Sequence, residues 1–157
     1  MIAAKDLMNP DVVTVDPDDT VWEVMATILE HDVSGLPVVN MPGQLLGFVS
    51  EFDLMDLVQY AQAAQHPIYY YMTREVHSVD ENTTIDELAE RFCALSVRRL
   101  PVLQGDRVVG IVSFRDLIGH LLRTRQQLPR ELHVSHHSLP TPRAFDLRRV
   151  PHNQGHA

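Results

Sequence analysis

Apolar positions along the chain switch between two periods, and the switch happens twice. Val21, Val24, Met25, Ile28 and Leu29 fall at i, i+3, i+4, i+7 and i+8, the one-sided stripe of an amphipathic helix. Thr20 followed by Glu23 opens that helix with a capping box: the hydroxyl and the carboxylate each satisfy a backbone N–H that the first turn leaves without a partner. Val12 to Val15 before it reads as a short extended piece. After the helix come two runs rich in β-formers, Leu36 to Val39 and Leu45 to Val49, joined by the turn residues Asn40-Met41-Pro42-Gly43. A second helix is predicted from Ser50, carrying Phe52, Leu54, Met55, Leu57 and Val58.

The same order returns after a shift of 64 residues. Met8 falls on Met72, Thr14-Val15-Asp16 on Ser78-Val79-Asp80, Thr20 on Thr84, and Leu36-Pro37-Val38 on Leu100-Pro101-Val102. Beyond the hairpin turn the shift becomes 63, so that Gly47-Phe48-Val49-Ser50 matches Gly110-Ile111-Val112-Ser113 and Asp53 matches Asp116. A one-residue length change in a loop accounts for the step. Copy two predicts an extended piece at Val76 to Val79 and a helix from Thr84-x-x-Glu87 with Ile85, Leu88, Ala89, Phe92 and Cys93 on one side. It then predicts strands at Leu100 to Leu103 and Arg107 to Val112 around Gly105-Asp106, and a helix from Ser113 with Leu117, Ile118, Leu121 and Leu122. Each copy is thus a β-α-β-β-α unit of an α/β (α+β) fold, too small to bury much core alone, so the two are expected to pack as one module. The expected boundaries are 1–60 and 68–124 for the two units, 61–67 for an Ala/Gln-rich linker, and 125–157 for a C-terminal extension rich in Pro, His and Arg.

Chemistry concentrates in a pattern present twice, Gly-x-x-Ser-x-x-Asp, at Gly47 to Asp53 and Gly110 to Asp116. A strand ends there and a helix begins, so unpaired N–H groups and a serine hydroxyl are expected to meet an anion such as phosphate. An Asp one turn further cannot favour phosphate by charge, but it can accept two hydrogen bonds from a vicinal diol such as that of ribose. Ser-x-x-Asp is equally the pattern of a helix cap, and a repeat also repeats its caps. On residues alone both readings stand.

Taken in order, Lys5-Asp6-Leu7-Met8, the two Leu-Pro-Val strands and the paired Gly-x-x-Ser-x-x-Asp ends resemble the CBS-domain family, named after cystathionine β-synthase, over about residues 3–123. The resemblance implies a tandem pair packed about a pseudo-twofold axis, with two clefts that take adenine-containing ligands such as AMP, ADP, ATP or S-adenosylmethionine. It implies Ser50 and Asp53 in one cleft, with Thr14, Val15, Leu36 and Pro37 lining the base. Ser113 and Asp116 would occupy the other, with Ser78, Val79, Leu100 and Pro101. Arg98 and Arg99 precede the second Leu-Pro-Val where copy one has Ser34-Gly35, and Arg115 lies inside the second motif, so a phosphate-bearing nucleotide is expected at the copy-two site. For Arg98 and Arg99 a surface or ion-pair role remains the alternative.

Composition narrows the classes. Of 157 residues, 45% are hydrophobic and 22% charged, as in an ordinary globular protein. Net charge is −8, and residues 1–124 hold 8 Lys or Arg against 19 Asp or Glu, which argues against a nucleic-acid footprint. No apolar run is long enough to span a bilayer, no signal peptide is visible, and one cysteine, Cys93, cannot form an internal disulfide; a cytoplasmic location is expected. Five of the nine histidines lie in the last 25 residues; His133, His136 and His137 lack familiar zinc spacing, and no metal is expected. Tyr69-Tyr70-Tyr71 reads as packing at the junction or as a base stack, and Trp22 as an interface residue. No catalytic set is legible. The expected function is a regulatory module for an adenine nucleotide, acting through its own homodimer or an effector protein. The alternative is a structural dimerisation module with empty clefts.

Overall fold

The structure is a computed structural model that describes residues 1–127, with backbone only for residues 56, 58 and 125–127. Helix α1 (Ala4–Leu7) is followed by α2 (Val21–Glu30), β1 (Gly35–Val39), β2 (Leu45–Ser50) and α3 (Glu51–Met55). Short 3₁₀ turns at Asp56–Gln59, Ala61–Gln65 and Ile68–Tyr70 lead into β3 (Val79–Asp80), α4 (Ile85–Leu95), β4 (Arg99–Gln104), β5 (Arg107–Ser113) and α5 (Phe114–Gln127).

Both capping boxes form. The Glu23 N–H donates to Thr20 Oγ1 at 3.2 Å while Thr20 N–H donates to Glu23 Oε2 at 2.7 Å. Thr84 and Glu87 repeat the arrangement at 3.4 and 2.8 Å. β1 and β2 pair antiparallel as a hairpin, as do β4 and β5. β3 lies parallel beside β4, and a parallel bridge from Val15 to Val38 puts the first extended piece in the matching place. The turns carry Gly43 at φ 108° and Gly105 at φ 66°, a region other residues rarely enter.

Each half has its own core. Val15, Val21, Val24, Ile28, Leu36, Val38 and Val49 anchor the first; Val79, Leu88, Phe92, Leu100, Val102 and Val112 anchor the second. Each such fully buried side chain contributes about 1.5–3 kcal/mol. The helical stripes are narrower than the periodicity predicts: Leu29 is 80% exposed and Cys93 is exposed, because each helix meets one sheet face and its far edge turns to solvent.

The halves interlock by exchanging their leading segments. Ala4, Leu7 and Met8 pack in the second core, whereas Ile68, Tyr71 and Met72 pack in the first. Backbone bridges repeat this symmetry, with Ala3 against Thr84 and Thr20 against Pro67. The hairpin turns also meet, where Leu45 N–H donates to Asp106 O and Val108 N–H to Gly43 O, both at 3.1 Å. The second helices differ. α5 runs fourteen residues, but α3 stops after five, and the helix predicted through Val58 tightens to 3₁₀. Tyr60 (φ −119°, ψ 84°) leaves helical space and turns the chain back onto α2, so that His66 O can accept from Val21 N–H. Among the described residues no helix is long and apolar enough to cross a membrane.

Candidate functional site

Two clefts open between the halves, and the interlock decides what lines them. The segment after Met72 runs along the outer edge of β2: Phe48 N–H donates to Thr73 O at 2.9 Å and Thr73 N–H returns to Phe48 O at 2.8 Å. Asn9 and Ile111 do the same beside β5, at 2.8 and 3.0 Å. Mid-strand glycines permit this approach. A Cβ on Gly47 would lie 2.5 Å from Met72 Sδ and 2.9 Å from Thr73 O, and one on Gly110 would lie 2.7 Å from Met8 Cγ. The Gly of each Gly-x-x-Ser-x-x-Asp pattern is therefore a seat for the other half's backbone.

Cleft one is a cavity of about 340 Å³. Copy one contributes Ser34, Phe48, Ser50 and Asp53. Copy two contributes Thr73, Glu75, Val76 and His77 from its leading segment, and Val97, Arg98, Arg99, Leu100 and Pro101 from the entry to β4. Cleft two, about 240 Å³, is lined by Asn9, Asp11, Val12, Val13, Val33, Gly35 and Leu36 from copy one and by Arg99, Ile111, Ser113 and Asp116 from copy two.

This grouping corrects the expected one. Arg98, Leu100 and Pro101 line the cleft of Ser50 and Asp53, not that of Ser113 and Asp116, whose cleft takes Leu36 instead; Arg99 lines both. The reason is the exchange of leading segments, which sets each Ser-Asp pair against the strand entry of the other copy. Thr14, Val15, Ser78 and Val79 reach neither cavity. Val15 and Val79 point into the cores, Thr14 is exposed, Ser78 is half-buried, and the cleft walls come from the residues just before them. Pro37 is fully buried, and Arg115 is exposed outside both cavities. The glycine inside each strand was the signal that another backbone lies alongside, and it would have led to Thr73 to His77 and Asn9 to Val13.

The Ser-Asp pairs form caps. Asp53 Oδ2 accepts from Ser50 N–H at 2.8 Å and from Ser50 Oγ at 2.9 Å, and Asp53 N–H donates to Ser50 Oγ at 3.2 Å. Asp116 Oδ2 accepts from Ser113 N–H at 2.7 Å and Oγ at 2.6 Å. Glu51 N–H donates to Ser34 O and Phe114 N–H to Arg98 O. Most of the N–H groups expected to be open to phosphate are thus engaged inside the chain. What the caps leave is orientation. Both bonds to each Asp end on Oδ2, so Oδ1 is held in a fixed direction with no hydrogen bond to a described group. Each pair is part-buried, where charge-assisted hydrogen bonds are stronger than in open water.

The other candidates lie outside both cavities. Tyr71 stacks on His66 and its hydroxyl bonds the ring at 2.6 Å, Arg74 lies over the Tyr69 ring at 4.3 Å, and Tyr70 is exposed. Trp22, 65% exposed, joins Val21, Met25, Leu57 and Tyr60 around a separate apolar hollow. Among the described residues no group of three or more His, Cys, Asp or Glu is placed to hold a metal. His133, His136 and His137, and the rest of the expected extension from residue 128, lie outside the described residues.

The chain is 26% identical over 140 residues to the CBS domain-containing protein YhcV of Bacillus subtilis, covering 88% of this chain and 99% of that one. It is 31% identical over 116 residues to inosine-5'-monophosphate dehydrogenase of Methanocaldococcus jannaschii, covering 73% of this chain but only 23% of the enzyme. Among solved structures it resembles CBSX2 in complex with AMP, with 25% identity and a TM-score of 0.72 over 80% of this chain and 99% of that one. It also resembles the CBS domain pair of protein MJ0100 in complex with 5-methylthioadenosine and S-adenosyl-L-methionine. There identity is 25% and the TM-score 0.67, over 79% of this chain and 98% of that one. The CBS domain family model matches residues 4–60 and again 68–123, each match taking in one Gly-x-x-Ser-x-x-Asp pattern and one Leu-Pro-Val strand, so the chain belongs to the CBS-domain family as a tandem pair.

Proposed function

We propose that this chain is a regulatory module that binds an adenine nucleotide, with cleft one as its main site. The observation that carries the reading is the layout of that cleft. Asp53, held by its cap with Oδ1 unbonded among the described residues, lines one cavity with Arg98, Arg99, Phe48, Val76, Val97, Leu100 and Pro101. The lining supplies a carboxylate that can accept from a ribose diol, two guanidinium groups for a phosphate and apolar side chains for a base. A volume of about 340 Å³ is at the small end of ligand pockets, which run from about 300 to 1,000 Å³. The AMP complex of CBSX2 and the adenosyl ligands of MJ0100 support the ligand class. The chain spans 23% of the dehydrogenase it matches, so that likeness lends it no catalytic role.

We further propose that the module works as a homodimer or through an effector protein. Phe52, Met55, Ile118, Leu121 and Leu122 stand exposed on α3 and α5, and covering them in an interface would remove apolar surface from water.

One observation favours the second reading, a structural dimerisation module with empty clefts: both Ser-Asp pairs are satisfied without a ligand. A thermal-shift series separates the two. An adenine nucleotide at 100 times its dissociation constant stabilises by about 2.7 kcal/mol, and adenosine and GMP at equal concentration stabilise less. No shift with AMP, ADP, ATP or S-adenosylmethionine at millimolar concentration leaves the structural reading in place.

A further inference from the structure

Among the described residues, Arg99 is the one that lines both clefts. Its Cα lies opposite Ser113 in the β4–β5 pairing, beside cleft two. Its guanidinium reaches Ser34 Oγ in copy one, at the rim of cleft one. The side chain therefore starts at one site and ends at the other. It is exposed, the one hydrogen bond of its guanidinium among the described residues is to a neutral hydroxyl, and a charged oxygen competes well for such a donor.

The clefts are not equal without it. Cleft one also holds Arg98, against Asp53 and Glu75. Cleft two has Asp11 and Asp116 and, among its described lining residues, no Lys or Arg besides Arg99. The repeat does not supply a second copy, because the position equivalent to Arg99 is Gly35. A Cβ there would lie 2.6 Å from Phe48 Cε1 and 2.9 Å from Val49 O, so the Phe48 ring excludes an arginine from that place. One guanidinium has to serve two sites.

We propose that Arg99 couples the two clefts, so that a phosphate-bearing nucleotide in cleft one withdraws the cation of cleft two and leaves it fit for an uncharged adenosyl ligand. This rests on the reading of the clefts as adenine-nucleotide sites. Coupling of this kind is reciprocal and commonly amounts to 5- to 150-fold in affinity, so about tenfold is a moderate expectation. It opposes a second phosphate and leaves a neutral nucleoside unaffected.

The experiment is calorimetric titration of the wild-type chain and of Arg99→Ala with AMP and, separately, with adenosine. In the wild type AMP binds in two steps, the second at least about tenfold weaker, which is 1.4 kcal/mol; adenosine fills two sites without that separation. Arg99→Ala weakens the first AMP step at least about tenfold but leaves the second unchanged, because in the doubly filled protein cleft two has already lost the guanidinium. Circular dichroism reports that the variant is folded, and adenosine binding changes far less than the first AMP step, because adenosine carries no phosphate for the guanidinium. If Arg99→Ala weakens both AMP steps alike, or neither, the sharing is refuted while the nucleotide reading survives. If neither AMP nor adenosine binds the wild type, the reading of the clefts falls and the sharing with it.

Discussion

Gly47→Ala and Gly110→Ala occupy equivalent places in the repeat, and the structure expects different costs. At Gly110 the three nearest atoms to an added Cβ all belong to the Met8 side chain, whose thioether can swing away. At Gly47 the added carbon meets Met72 Sδ at 2.5 Å and also Thr73 O at 2.9 Å. That carbonyl is fixed by its bond from Phe48 N–H, and Met72 is buried. Overpacking of a tight site costs about 1–3 kcal/mol, and a strained backbone hydrogen bond adds about 0.5–1.5. Replacing Gly by Ala returns about 0.4–1 kcal/mol through the unfolded chain. Gly47→Ala should therefore destabilise by about 2 kcal/mol, and Gly110→Ala by about 1 kcal/mol or less. Urea titration followed by far-ultraviolet circular dichroism reads the difference as a fall in midpoint at constant slope. Adding Met8→Ala should relieve Gly110→Ala, since it leaves one carbon at 3.0 Å, whereas Met72→Ala cannot relieve Gly47→Ala with Thr73 O still in place. Gly47→Ala should also weaken AMP binding, because Thr73 to His77 wall cleft one. Equal costs at the two glycines, or rescue of Gly47→Ala by Met72→Ala, would refute the interlocked backbone.

Three further outcomes are expected. The N–H of Thr20 and then its hydroxyl hold the Glu23 carboxyl below its ordinary value of 4.5, and Thr84 does the same for Glu87. A lowered folded value means that this stability is present above pH 4.5 and is lost as pH falls through the folded value, so thermal scans from neutral pH to about pH 3 should show a shallower acid loss in Glu23→Gln/Glu87→Gln than in the wild type. Thr84→Ala removes a cap whose loss costs about 0.5–2 kcal/mol, seen as a lower urea midpoint with nucleotide contacts intact. Leu121→Asp, at a side chain 60% exposed, should convert a homodimer to monomer by light scattering without unfolding the chain; a mass that stays dimeric would place the interface elsewhere.

What the sequence makes legible is local. Thr20-x-x-Glu23 and Thr84-x-x-Glu87 satisfy their own first turns, and the hairpins pair residues a few positions apart, so both could be read from spacing. The repeat itself was visible because Leu-Pro-Val and Gly-x-x-Ser-x-x-Asp recur in order. The composition of each cleft was not, because a twofold repeat is equally consistent with a leading segment that packs on its own unit or on the sister unit. Only long-range pairing of Thr73 with Phe48 and Asn9 with Ile111 decides between them. The same ambiguity hid the burial of Ala4 in the second core and of Ile68 in the first. The wall residues differ from expectation for a simpler reason: each segment holds more than one valine, and the cores take Val15 and Val79 while Val12, Val13 and Val76 line the clefts.

Calorimetry of AMP binding to Asp53→Asn tests most directly whether Asp53 is the ribose acceptor of cleft one. Asparagine keeps an acceptor for Ser50 N–H and Oγ, so the cap and the fold persist, as circular dichroism checks. Loss of the carboxylate weakens hydrogen bonds worth about 1.5–3 kcal/mol each to the diol, so AMP affinity should fall at least about tenfold. 2′,3′-Dideoxy-AMP should bind the wild type poorly and lose little more in the variant. AMP affinity unchanged in a folded Asp53→Asn protein would contradict the account.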